Sequence, residues 1–210
     1  MIVQGTPEWI AARLGCATAS RIADVIAKTK TGESASRKNY AAELIVERLT
    51  GASAEKFSSA AMQWGTDTEP HARAAYEFRE DVTVDLASFV PHPTIAFSGA
   101  SPDGFVGATG LIEIKCPNTA THLETLLGRT PAAEYVTQMQ WQMACTGRAW
   151  CDFVSFDPRL PEHLRFFCHR VMRDAEVIAS LESEVRTFLA EIDDKLTRLA
   201  ALHESESIAA

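Results

Sequence analysis

The chain lacks any CxxC pair, and its five cysteines (Cys16, Cys116, Cys145, Cys151 and Cys168) are scattered and odd in number. A zinc or disulfide framework is therefore not expected, and reduced thiols fit better. No stretch approaches 18 apolar residues, and the opening MIVQGTPEW has neither a basic region nor an apolar run. A cytoplasmic protein with no membrane span and no leader is expected. Positive charge is also scarce: a net charge of -8 and a pI near 5.3 argue against indiscriminate binding to nucleic acid or anionic lipid. No internal repeat is visible.

What is present is enough apolar material, 46% of 210 residues, for one sizeable core but not for two ordinary domains, so one domain over 1–210 is expected. The charge is polarised. Arg13 to Lys38 carries six basic residues against two acids, and Met172 to Ala210 carries nine acids against four basic residues. The basic third is expected to face a polyanion, with the acidic tail turned outward.

TASRIADVIAKT opens on hydroxyls that suit a helix cap and spaces Ile22, Val25 and Ile26 at helical period. KTKTGESASRKN reads as an exposed loop, and YAAELIVERLTG as a helix stopped by Gly51. Pro70 predicts a helix start just before it, with Glu69 at the junction. VTVDL, TIAFSG, GLIEIK, AWCDFVSF and RFFCHR are short, β-branched or aromatic, and predict the strands of one central sheet. AEYVTQMQWQMACTG predicts a helix with Tyr135, Met139, Gln142 and Met143 on one stripe. From Asp174, the spacing of Ile178, Leu181, Val185, Phe188, Ile192, Leu196 and Leu199 predicts a long amphipathic helix against the core or another subunit, with HESESIAA frayed.

The chemistry concentrates in SPDGFVGATGLIEIKCP, Ser101 to Pro117. On a strand Glu113 and Lys115 share one face while Ile112, Ile114 and Cys116 take the other. If Ser98–Pro102 runs antiparallel to Leu111–Lys115, the Asp103 carboxylate falls beside Glu113. Two carboxylates, with the Ile114 carbonyl as a further oxygen, suit Mg²⁺ or Mn²⁺. Such an ion acidifies water and polarises a phosphoryl oxygen, and the Lys115 ammonium complements it. Pro102-Asp103, nine residues, then Glu113-Ile114-Lys115 is the PD-(D/E)xK nuclease pattern. The plain alternative is a surface hairpin with an exposed ion pair worth at most ~1 kcal/mol.

SPDG followed by GLIEIKCP resembles the corresponding block of the lambda-exonuclease family, the YqaJ-like viral recombinase exonucleases. EWIAARLGCATASRIADVIAK, WGTDTEPHARAAYEF, YVTQMQWQMACTGRAW and FDPRL resemble it in the same order, so the resemblance spans nearly the whole chain. It implies an α/β, restriction-endonuclease-like fold, a central mixed sheet flanked by helices. By the same resemblance Asp103, Glu113 and Lys115 match the catalytic residues, Glu69 the helix-borne acid near the metals, and Gln138 the active-site glutamine. Arg13 and Ser20 match contacts to a terminal 5'-phosphate. On the residues alone, Glu69 also reads as a helix-dipole glutamate and Arg13 as a snorkelling side chain.

The family further implies a Mg²⁺-dependent 5'-to-3' exonuclease acting on double-stranded DNA ends, a homotrimer, and a single-strand annealing protein as partner. Where the family carries an arginine after the lysine, this chain has Thr121 and His122, leaving a phosphate contact missing or supplied by His122. The wedge that separates the strands is unassigned. The remaining histidines and the four tryptophans read as structural or surface residues. A RecB-like or Cas4-like single-strand nuclease and a catalytically silent DNA-end-binding protein are the rival readings. Scattered cysteines oppose an iron-sulfur cluster, and the intact acidic pair opposes a silent module.

Overall fold

The computed structural model describes residues 4–30, 32–53 and 59–208, the last six of these by backbone alone. Helix α1 (Pro7–Arg13) starts where the Thr6 hydroxyl accepts from the Trp9 N–H, with Pro7 in the first turn, where its missing N–H costs nothing. Strand β1 (Ala17–Thr18), a 3₁₀ turn (Ala19–Arg21) and helix α2 (Ile22–Ile26) follow. Thr18 makes no side-chain cap bond; its backbone N–H donates instead to the Tyr40 hydroxyl.

The expected exposed loop is a hairpin, β2 (Lys28–Thr29) with β3 (Gly32–Glu33), running directly into α3 (Ala35–Thr50). The start signal is Ser34, whose hydroxyl accepts from the Arg37 N–H. Gly51, in the left-handed conformation, ends α3. The loop expected next falls partly on 54–58, outside the described residues.

Helix α4 (Ala60–Glu80) corrects the expectation at Pro70, which lies inside the helix, while Ser59 caps its start. Pro70 and Thr66 both face solvent, so the carbonyl freed by the missing N–H stays hydrated. The buried positions Thr68, Ala72 and Tyr76 hold the helix down on both sides of the proline.

The remaining elements are β4 (Val84–Asp85), β5 (Val90–Pro91), β6 (Ser98–Ala100), β7 (Gly104–Val106), β8 (Gly110–Lys115), α5 (Thr119–Gly128), α6 (Ala133–Thr146), β9 (Trp150–Phe156), β10 (Phe166–Met172) and α7 (Ala175–Ile208). The main sheet runs β10-β9-β8-β7-β4, with β8 and β9 parallel across the α5–α6 crossover and its other pairs antiparallel. TIAFSG does not join it. Only its end enters β6, which pairs with β1 and β5 in a separate sheet. Turn chemistry breaks the run: His92 Nδ1 accepts from the Thr94 and Ile95 N–H groups, and Phe97 sits at a φ of 54°.

Alternation along β8 divides the core. Ile112 and Ile114 pack under α4 with Ala72 and Tyr76, while Leu111 packs with Met139 and Met143 of α6. A third cluster joins Ile22, Tyr40, Leu44 and Trp141 to Val185, Phe188 and Ile192 of α7, so the last helix packs on the core of its own chain. It continues to Ile208, past the expected fraying. The acidic helix does not turn away from the basic segment. Lys28 pairs with Glu184 (2.6 Å) and Arg37 with Glu191 (2.7 Å), and beyond that segment Arg48 of α3 pairs with Asp193 (2.7 Å). Among the described residues no helix is long and apolar enough to cross a membrane.

Candidate active site

The β7–β8 hairpin sets Gly104 opposite Ile112 and Phe105 opposite Leu111, which puts Asp103 one step past the last pair, level with Glu113. The strand beside β8 is thus Gly104–Val106 and not Ser98–Pro102. A Cβ at Gly104 would collide with the Val84 side chain, so glycine is required where the chain passes from the Asp103 turn into the sheet. Asp103 Oδ2 accepts from the Ile114 N–H at 2.6 Å. The N–H and carbonyl of one strand residue face the same side, so the Ile114 carbonyl looks toward the edge where Asp103 lies.

Glu113 is 1% exposed. Its carboxylate accepts from Gln138 Nε2 (2.7 Å) and Gln142 Nε2 (2.6 Å) and pairs with Lys115 Nζ (2.5 Å). Burial by itself would push the Lys115 ammonium down; the Glu113 and Asp103 carboxylates outweigh it and hold the group above its ordinary range. The Tyr135 ring, 5.1 Å from Nζ, adds a cation–π contact.

The Asp103 carboxyl is pushed well above the usual range, first by burial and then by the carboxylates of Glu113 and Glu69, against Lys115 and the Ile114 N–H. An oxygen-only set of two carboxylates and a carbonyl, with an excess of negative charge, fits a hard divalent cation that keeps several waters. Among the described residues no third His, Cys, Asp or Glu side chain closes a cluster around it. Glu69 comes near but is ion-paired to Arg73 one turn on (2.6 Å). With Ile114, Lys115, Cys116 and Tyr135 it lines a cleft of about 430 Å³.

Gln138 and Gln142 follow one another by four residues on α6, so both reach Glu113 from the same helix face. Sequence reasoning assigned Gln138 and passed over Gln142, which it had placed on the apolar stripe; the i, i+4 spacing was the available signal. Gln140 points away, donating to the Met172 carbonyl and accepting from the Asp174 N–H.

Arg13 lines a second cleft, of about 500 Å³, with Trp9, Thr18, Arg21, Tyr40 and Glu43. Its guanidinium lies 3.9 Å over the Trp9 ring. Ser20 is exposed on the 3₁₀ turn and does not line this cleft, so the two residues matched to the phosphate are not brought together here. The clefts adjoin, for Met62 of α4 lines both. The Trp9 indole N–H also donates to Ser101 Oγ (3.1 Å), which ties the Arg13 cleft to the Asp103 turn, and Gln4 Nε2 donates to the Pro102 carbonyl (2.8 Å) in the same turn.

His122 does not supply a phosphate contact. It is fully buried, with Nδ1 on Ser155 Oγ (2.7 Å) and Nε2 on the Leu164 carbonyl (2.8 Å). His122→Ala is expected to cost about 1–3 kcal/mol by stranding buried partners, and to leave the salt slope of DNA binding unchanged. Thermal melts and DNA titrations at two salt concentrations check both halves. His71, His163 and His169 are exposed and His92 is buried; the side chain of His203 lies outside the described residues. Trp141 is fully buried, whereas Trp9, Trp64 and Trp150 are half-buried, each under an arginine.

Two solved structures of LHK-Exo, an alkaline exonuclease from Laribacter hongkongensis, superpose on this fold. One has a TM-score of 0.89 at 55% identity, and the other, in complex with dAMP, has 0.90 at 56%; each match covers 95% of this chain and 99% of that one. A phage-related exonuclease from Haemophilus somnus 129PT shares the fold at a TM-score of 0.71 and 17% identity, over 88% of this chain and 96% of that one. The architecture is accordingly the restriction-endonuclease-like α/β type, a mixed sheet flanked by helices. No curated protein sequence matches. The model of the YqaJ-like viral recombinase domain matches residues 8–149, a span that includes the Asp103–Lys115 hairpin, and the chain belongs to that family.

Proposed function

We propose that this protein, a nuclease by family, is a Mg²⁺-dependent exonuclease that digests one strand of linear double-stranded DNA 5'-to-3', releasing mononucleotides and leaving 3' single-stranded tails. The observation that carries this reading is the Asp103–Glu113 pair at the end of the β7–β8 hairpin, with Lys115 against it. Asp103, Glu113 and the Ile114 carbonyl would hold Mg²⁺, or Mn²⁺ in its place, and the bound ion would supply Lewis acidity to the phosphate and acidify a water.

Lys115, kept charged by its two carboxylate neighbours, orients the attacking water and offsets the negative charge that grows on the phosphate oxygens. Gln138 holds the Glu113 carboxylate, and Glu69 adds negative potential to the shared cleft. Arg13, in the adjoining cleft, takes the terminal 5'-phosphate, and Ser20, exposed on its 3₁₀ turn, is the second group proposed to contact it. The neighbour crystallised with dAMP, a mononucleotide of the kind this reaction releases, supports the same product. A homotrimer around the duplex and a single-strand annealing protein that takes over the 3' tail complete the proposal, with the chain acting as one domain in the cytoplasm.

The test is degradation of linear duplex labelled at one 5' end, with and without the 5'-phosphate, in Mg²⁺. Mononucleotides are expected, faster from the phosphorylated end. Arg13→Ala is expected to cut that preference by roughly tenfold, the value of one charge-assisted hydrogen bond. Intact DNA in both Mg²⁺ and Mn²⁺, or internal cuts regardless of end chemistry, would overturn the assignment. Light scattering of the same preparation checks the trimer.

A further inference from the structure

An ionised carboxylate offers about four lone-pair directions, two on each oxygen. Glu113 Oε1 already receives Gln138 Nε2 (2.7 Å) and Lys115 Nζ (2.5 Å), while among the described residues Oε2 receives only Gln142 Nε2 (2.6 Å). We propose that Gln142 is a positioning residue that fixes the Glu113 carboxylate so that one lone pair, on Oε2, stays open toward a divalent cation. This rests on the reading of Asp103 and Glu113 as a cation site.

The far end of Gln142 is also held. Cys151 Sγ, on β9, donates to Gln142 Oε1 at 3.9 Å, and both residues are fully buried. The thiol is a weak donor but an even weaker acceptor, so it favours the amide orientation that points the NH₂ group at Glu113. A reversed amide would set its carbonyl oxygen against the carboxylate. Burial, then the Glu113 and Asp103 carboxylates, hold the Cys151 thiol protonated and therefore a donor.

Gln142 is fully buried, and its partner Cys151 belongs to an apolar cluster with Leu111, Met139, Met143 and Phe153. A buried amide costs about 1–3 kcal/mol unless it is bonded, and here its two ends are matched to Glu113 and Cys151. Gln140, two residues back on α6, bonds the Met172 carbonyl and the Asp174 N–H and touches nothing at the site, which makes it the internal control.

Binding of Mn²⁺ to the full chain without DNA, read by the loss of the free-ion electron paramagnetic resonance signal at fixed pH, tests the proposal. Gln142→Met is expected to weaken Mn²⁺ binding by about 10-fold or more, the usual effect of removing a partner of a metal-ligating carboxylate. Cys151→Val is expected to weaken it in the same direction and Cys151→Ser to restore it. Gln140→Met should lower the melting temperature and leave Mn²⁺ binding as in the wild type, which a role confined to packing would not separate from Gln142→Met. Variants at 142 and 151 that bind within about twofold of the wild type overturn the proposal alone. If the wild type binds no Mn²⁺, the cation-site reading fails and the proposal with it. Should Gln142→Met not fold, the Cys151 pair decides, and equal binding by Val and Ser overturns it.

Discussion

Lys115→Ala is expected to slow release of nucleotides from a 5' end by at least about 10²-fold at saturating Mg²⁺, the usual loss when one stabilising group at a reacting oxygen is removed. The side chain is 27% exposed, enough to reach a substrate phosphate from its place against Glu113. The fold should hold, because Glu113 keeps two amide donors from α6 when the ammonium goes. Lys115→Arg is not expected to rescue, since a planar fork cannot occupy the place of a compact ammonium between Glu113 and the Tyr135 ring. Single-turnover degradation, with duplex binding and a melting curve on the same samples, separates chemistry from folding. A rate within tenfold of the wild type would remove Lys115 from the mechanism.

Asp152→Ala is expected to cost about 3 kcal/mol and to lower the melting temperature by roughly 6–12 °C. Asp152, on β9 and 2% exposed, accepts from the Tyr76 hydroxyl (2.7 Å) and takes both Nε and Nη2 of Arg170 (2.8 Å each). Arg170 lies 3.7 Å over Trp150, so a single carboxylate ties α4, β9 and β10 together. Burial and then the neighbouring Asp152 push the Tyr76 phenol above its ordinary range, which keeps it a donor. Removing Asp152 strands a fully buried hydroxyl, whereas Tyr76→Phe removes the hydroxyl itself and should cost only about 1 kcal/mol. Calorimetric melts of the two variants decide; equal effects would mean that the hydroxyl, not the carboxylate, is the anchor.

That Glu113 and Lys115 share a face was legible because strand alternation fixes it, and that rule needs no tertiary information. The long stripe from Ile178 to Ile192 was legible for the same kind of reason. Its period is that of a helix, and the burial of Val185, Phe188 and Ile192 follows it. The partner of β8 was not legible, since Gly104–Val106 is three residues long and begins with a glycine, below the length at which alternation shows. Pro70 misled because a helix can carry proline on its solvent side. Arg37 sits in a run that reads as loop, yet it is buried, donating to the Val25 carbonyl and reaching Glu191 with both Nη atoms. Besides the local Glu33, this buried arginine is held by a partner 154 residues away, and no local pattern announces that one. Gln142 was passed over for a related reason: its i, i+4 spacing from Gln138 was visible, but what the pair serves shows only once Glu113 is known to lie beneath it.

The cluster that joins Ile22, Tyr40 and Leu44 to Leu181, Phe188 and Ile192 has its own consequence for synthesis. Contacts between residues so far apart in the chain form late, after the loop between them has closed. A nascent chain therefore leaves the ribosome with every strand of the main sheet, 84–172, already made while α2 and α3 still lack their cover. Their apolar faces stay open to chaperones until the Leu181–Ile192 part of α7 emerges, so α2 and α3 are finished only after elements translated later than they are.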